Sequence, residues 1–99
     1  MNSWPLSAVE TEMRRLKVLQ YLASVPSYEA AATVLGLHCR RIGVPTTSDQ
    51  VVGCIAWLKD MELVAVRVYR DEPIARITKQ GRDVAIGNTA VPGVLRPDP

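Results

Sequence analysis

The stretch at residues 47–63, TSDQVVGCIAWLKDMEL, constrains this chain more than any other. It opens as T-x-x-Q, so Thr47 can cap a helix while Gln50 reaches back to the Thr47 amide. Apolar residues then recur at Val51, Cys54, Ile55, Leu58 and Met61, which is the spacing of one helical face. A β-strand pattern follows directly at 63–69. A second helical stretch precedes the segment and is closed by Gly43-Val44-Pro45. Helix, short turn, helix and β-hairpin is the order of a winged helix-turn-helix. The expected class is therefore α+β, with three helices, a two-stranded wing, a short C-terminal helix and an extended tail.

The remaining elements follow from local chemistry. Ser7 and Glu10 form an S-x-x-E box ahead of an apolar stripe at Val9, Met13, Leu16, Leu19 and Leu22, with Arg14, Arg15 and Lys17 around it. Pro26 stops that helix, because the residue before proline disfavours helical backbone. Ser27 then caps a second helix over 29–41, rich in alanine, with Val34, Leu35, His38 and Ile42 inward. Gly43 stands where a left-handed residue ends a helix, and Pro45 follows it. In 63–69, Val64, Val66 and Val68 share a face. The polar run Arg70-Asp71-Glu72-Pro73 reads as a four-residue loop, and 74–78 returns as the partner strand. Thr78 caps a last helix ended by Gly87. Residues 88–99 hold three prolines and one glycine and read as an extended tail behind a domain at 1–87.

Composition narrows the function classes. Ninety-nine residues, 47% hydrophobic and 22% charged, suit one domain with a modest core. No apolar run approaches the ~20 residues of a membrane span, and the opening MNSWPLSAVE lacks the pattern of a signal peptide. Two cysteines make no disulfide framework, so a reducing, cytoplasmic setting is expected. A net charge of +2 permits nucleic-acid binding without arguing for it.

Three segments carry a family resemblance: LKDMELVAV, ITKQGRDVAIGN and VPGVLRP. Together they resemble the small winged-helix proteins, often labelled ArsR-like, of Mu-like phages and prophages. The resemblance covers residues 28–99 and implies a winged-helix fold and DNA binding. Winged-helix proteins commonly carry glycine just before the first wing strand, whereas this chain has Glu62. A left-handed residue there would cost roughly 1 kcal/mol.

If the chain reads DNA, the third helix enters the major groove and the wing touches phosphate. Ser48 and Gln50 are then the candidates for base readout, Gln50 through adenine N6 and N7. Residues 49–62 carry Lys59 against Asp49, Asp60 and Glu62, however, and phosphate neutralisation supplies nearly all non-specific affinity. Phosphate contacts are therefore assigned to Arg40 and Arg41, at the end of the second helix, and to Arg67 and Arg70 on the wing. The alternative is a winged helix used as a protein-interaction module for a host or phage partner. Trp57 and Trp4 are the candidate interface residues for it, since tryptophan is enriched at hot spots. The terminal elements are candidates for homodimer contact. Metal sensing, which the ArsR label suggests, lacks its ligands: Cys54 stands alone on an inward face and His38-Cys39 lies a helix away, while zinc needs three or four donors. The lone histidine sits without a nucleophile motif and no phosphate-cradling glycine loop appears, so no enzyme, metal or cofactor is expected.

Overall fold

A computed structural model describes residues 6–97 of the chain. The architecture is α+β: α1 (Leu6–Ser24), β1 (Glu29–Ala31), α2 (Ala32–Arg41), α3 (Ser48–Asp60), β2 (Val64–Tyr69), β3 (Glu72–Ile77) and α4 (Lys79–Ala85). The strands form one antiparallel sheet in the order β1-β3-β2. Such an order of elements is compatible with a winged helix.

The core lies between the helices and one face of the sheet. Leu19, Leu22, Leu35, Ile55 and Leu58 are its largest fully buried side chains, and Val64, Ala75 and Ile77 close it from the sheet. On α3 the buried residues are Val51, Cys54, Ile55 and Leu58, four of the five assigned to that face from spacing; Met61 is exposed at 42%. On α1 the buried apolar set is Leu16, Val18, Leu19 and Leu22, while Val9 stays exposed. Ser7 lies inside α1 rather than at its cap.

Three helices end by the same backbone device. In α2, α3 and α4 the two residues after the C-cap bond back to the last turn, as in Gly43 N to Arg40 O and Val44 N to Cys39 O. The first of those residues must be left-handed. Gly43 and Gly87 serve at φ 91° and 87°; after α3 the same place is filled by Glu62 at φ 62°. The geometry that the missing glycine normally provides is thus kept with a glutamate, which stores strain. Glu62→Gly should raise stability by about 0.5–1 kcal/mol. Denaturant melts of the two proteins would check it, and an unchanged midpoint would mean that Glu62 sits there without strain.

The sheet departs from the expected two-stranded wing in two ways. Residues 29–31, read as the start of a helix, are instead β1, paired Glu29↔Arg76, Ala30↔Ala75 and Ala31↔Ile74. Alanine is the best helix former, but intrinsic propensity is a weak preference and a tertiary ladder overrides it. Tyr28 turns the chain into the strand at φ 60°, and its carbonyl accepts from Ile77 N. The loop between β2 and β3 has two residues, not four. Tyr69 pairs with Glu72, and Arg70 and Asp71 both adopt positive φ, 53° and 62°, as a primed hairpin turn requires. Arg-Asp carries none of the Asn-Gly signature of such turns. Pro73 enters the strand because β1 has already ended, leaving it a ladder partner on one side only.

The segment after α4 contains no helix or strand up to residue 97. It is nevertheless packed: Val94 is 8% exposed, Val91 and Leu95 lie on the core, and Leu95 N donates to Glu12 O.

Candidate nucleic-acid interface

The α2–α3 turn is built from inside. The capping box read from the sequence is present, with Gln50 N donating to Thr47 Oγ1 at 3.1 Å and Thr47 N donating to Gln50 Oε1 at 2.9 Å. Beneath it lies Arg14, which by sequence is one of the cations flanking the α1 stripe. It is 3% exposed. Its Nε donates to Thr46 Oγ1 at 2.9 Å, and its Nη2 donates to Pro45 O at 2.6 Å and more distantly to Gln50 Oε1. Arg40 Nη1 donates to Thr46 O at 3.0 Å. Two guanidinium groups, one from each helix that flanks α3, therefore converge on Thr46.

This geometry bears on one expected role. A bidentate pair to adenine needs the Gln50 amide oxygen as acceptor. In the structure that oxygen closes the cap, so Gln50 has only its amide N–H groups to offer. Ser48 is exposed in the first turn of α3, beside Asp49.

The hairpin tip stands next to this turn. A cleft of about 330 Å³ is lined by Arg40 from α2, Ser48 and Val52 from α3, and Asp71, Glu72 and Pro73 from the β2–β3 hairpin. Gly36 forms part of its floor. The hairpin is latched across the cleft: Glu72 Oε1 accepts from Thr33 N at 2.6 Å and from the Thr33 hydroxyl. α2 has no side-chain cap of its own at Ala31, so this carboxylate from the hairpin serves as one. The two Thr33 bonds hold the Glu72 carboxyl below the usual carboxylate range. A carboxyl lowered on folding stabilises the fold while ionised, so this contribution is lost as pH falls through its folded pKa. Neither Glu72 nor Thr33 announces the latch in sequence, because they are brought together only by the tertiary fold.

The four assigned arginines divide. Arg40 is in the cleft and Arg41 is exposed at the end of α2. Arg70 is at the hairpin tip, with its guanidinium 5.3 Å from the Tyr69 ring centroid. Arg67 is not free: it pairs with Glu29 at 2.9 Å, on the sheet face turned away from the helical core. Both partners are partly exposed, so solvent screens the pair, which contributes little to stability. Its effect on the surface is to cancel one of the hairpin's positive charges.

Trp57 is half-buried and engaged within the chain. The Arg15 guanidinium lies 3.9 Å from the centroid of its ring, and Arg15 Nη1 donates to Gly93 O at 2.9 Å. Gly93, at φ 100°, passes so close that a Cβ there would meet Trp57 at 2.5 Å. The proline-rich segment thus covers the ring proposed as an interface anchor. Trp4 lies outside the described residues.

Cys39 and Cys54 are buried and unpaired by disulfide. Burial pushes the Cys39 thiol up and the Cys54 thiol to about 12, so both are held as thiols. His38 packs against Tyr21, with ring centroids 4.4 Å apart; burial, and secondarily Lys17, lowers its pKa. Among the described residues no cluster of three or more His, Cys, Asp or Glu is placed to hold a metal, and no helix is long and apolar enough to cross a membrane.

No protein-family model matches the chain. No solved structure matches it. It is similar to the uncharacterized protein gp26 of Escherichia phage Mu, with 35% identity over 94 residues, covering 95% of this chain and 97% of that one.

Proposed function

The chain belongs to the family of that Mu phage protein, and from this premise we propose that it is a winged-helix protein that binds double-stranded DNA. α3 is the helix offered to the major groove, and the β2–β3 hairpin is the wing. The observation that carries the reading is the cleft that brings Ser48 and Val52 of α3 beside Asp71 and Glu72 at the hairpin tip, so that one duplex could meet both. Around it the outer residues of α3 are small or short: Ser48, Asp49, Val52, Gly53 and Ala56. Where Gly53 and Ala56 stand on the outer face of α3, the helix backbone can approach a groove floor closely. The chemistry is binding, with neither catalyst nor cofactor.

Phosphate contact falls to Arg40, Arg41 and Arg70. Arg67 joins them only by giving up Glu29. Sequence preference falls to Ser48 and to the amide N–H groups of Gln50. The test is a duplex titration of Arg40→Ala and Arg70→Ala at two salt concentrations. Affinity should drop for every sequence alike, with the salt slope flattening by about one for each phosphate that the variant no longer neutralises. Arg67→Ala should do less than either. If the Arg40 and Arg70 variants bind duplex as the wild type does, these assignments are wrong.

A second reading, a winged helix used to dock a protein, is favoured by the exposed apolar residues near the same face. Val52 on α3 is 46% exposed, and Val68 and Tyr69 on the wing are 71% and 54% exposed. Under that reading Val52→Lys abolishes capture of the partner and leaves no duplex affinity to measure.

A further inference from the structure

The sheet runs β1-β3-β2, so β2 is paired on one side and, among the described residues, open on the other. The ladder identifies which of its backbone groups stand free. Ile77 N donates to Tyr28 O on the β1 side, and Thr78 N donates to Leu63 O on the β2 side. Antiparallel alternation then directs the N–H and C=O groups of Ala65, Arg67 and Tyr69 towards β3, and those of Val64, Val66 and Val68 away from it. Proteins blunt an open edge with short strands, proline, bulges or exposed charge. β2 uses none of these. It has six residues, VAVRVY, in unbroken register with β3. Its one charge, Arg67, is drawn across β3 to Glu29 on β1, away from the edge. Val68 lies on the core face with Val64 and Val66 yet is 71% exposed, so the chain's own helices leave it uncovered.

We propose that the free edge of β2 binds β2 of a second copy, antiparallel about a two-fold axis through Val66. The register follows from the free groups. The one that engages all three outward residues pairs Val66 with the partner's Val66 and Val64 with the partner's Val68. It gives Val68 the apolar neighbour that its own chain lacks. It sets Arg67 opposite the partner's Ala65 rather than the partner's Arg67, so like charges do not face each other. It also brings Glu62, just before β2, to the partner's Arg70, just after it, at both ends of the pair. Asp71, beside Arg70, is turned into the cleft. Such self-complementarity is what a two-fold contact requires, and it selects a second copy over an unrelated strand. The joined sheet has six strands and ends at both sides on β1, which is only three residues long, so the assembly closes as a dimer. Arg70 is also assigned to phosphate above, and the five N–H groups of a guanidinium can serve both partners. The pairing itself does not rest on DNA binding.

Sedimentation of the full chain from about 10 µM to about 1 mM, the range suited to a small interface, reads the association. Wild type should pass from monomer to dimer. Val68→Pro removes an N–H that β3 does not use and should weaken the dimer by about tenfold or more. Glu62→Arg and Arg70→Glu should each weaken it several-fold, and the double variant should regain wild-type association. Within one chain these two residues stand at opposite ends of a strand about 20 Å long, so compensation can arise only between copies. Amide hydrogen exchange at the two ends of the concentration range adds a strand-specific signature. The Val64, Val66 and Val68 amides should gain protection in the dimer, while those of Ala65, Arg67 and Tyr69 should not change. A chain that stays monomeric throughout overturns the proposal and leaves the edge to a strand from another protein. A dimer unaffected by Val68→Pro, or charge reversals that do not compensate, overturns it in favour of another surface. Should Val68→Pro fail to fold, the charge exchange decides alone.

Discussion

Leu58→Ala should destabilise the fold by about 2–5 kcal/mol, the range for deleting a large side chain from a packed core. Leu58 is fully buried on the inner face of α3. It belongs to the cluster that includes Leu16 and Leu19 of α1, Leu35 of α2 and Val64 of β2. Its carbonyl also accepts from Leu63 N, so the residue sits where α3 hands the chain to the sheet. A small domain has only about 5–15 kcal/mol of stability, so this one change removes a large share of it. Urea unfolding would measure it. A loss under about half a kcal/mol, the size expected of a surface change, would mean that the wrong face of α3 has been placed inward.

Gly81→Ala should be as damaging, for a different reason. Gly81 is buried in the first turn of α4, where a Cβ would meet the Leu63 carbonyl oxygen at 2.1 Å and Ile77 Cγ1 at 2.7 Å. The first obstacle is backbone, and that carbonyl already accepts from Thr78 N. The Glu62 carbonyl beside it accepts from the Thr78 hydroxyl, while Thr78 Oγ1 caps α4 by accepting from Gly81 N. To admit one methyl group, α4 must move away from the junction of α3 and β2 and break these bonds. Alanine's better helix propensity recovers only about 1 kcal/mol. The net loss should be about 3 kcal/mol, the upper part of the overpacking range. A thermal melt within a degree or two of wild type would show that α4 docks less tightly than described.

The contrast between what the chain discloses locally and what it does not explains how far the sequence could be read. Thr47 and Gln50, Gly43 and Gly87 act within a few residues of themselves, so their roles are written in adjacent letters. The inner face of α3 was legible because burial repeats with the helical period. Even the strain at Glu62 could be read, as a departure from a residue the turn prefers. β1 was not legible, because Ala30 and Ala31 are held extended by partners on β3, more than forty residues along the chain. The two-residue wing turn was hidden for the converse reason: Arg70 and Asp71 are forced into left-handed backbone by the strands they join. Arg14 looks like one of several surface cations on α1, and only the docking of the α2–α3 turn buries it. Arg67 looks like a free wing cation until β1 brings Glu29 to it. Gln50 was assigned to two tasks, cap and base reader, whose shared oxygen serves one at a time.

The central claim is that duplex DNA meets α3 and the wing tip together. Amide NMR of the wild-type chain, titrated with a short generic duplex at about 50 mM salt, where electrostatic binding is strong, tests it most directly. The account predicts saturable shifts over residues 46–53 and 69–73, with the Trp57–Gly93 contact undisturbed and the response fading by about 200 mM salt. A spectrum that does not change at low salt, or changes confined to α1 and the segment after α4, would contradict it.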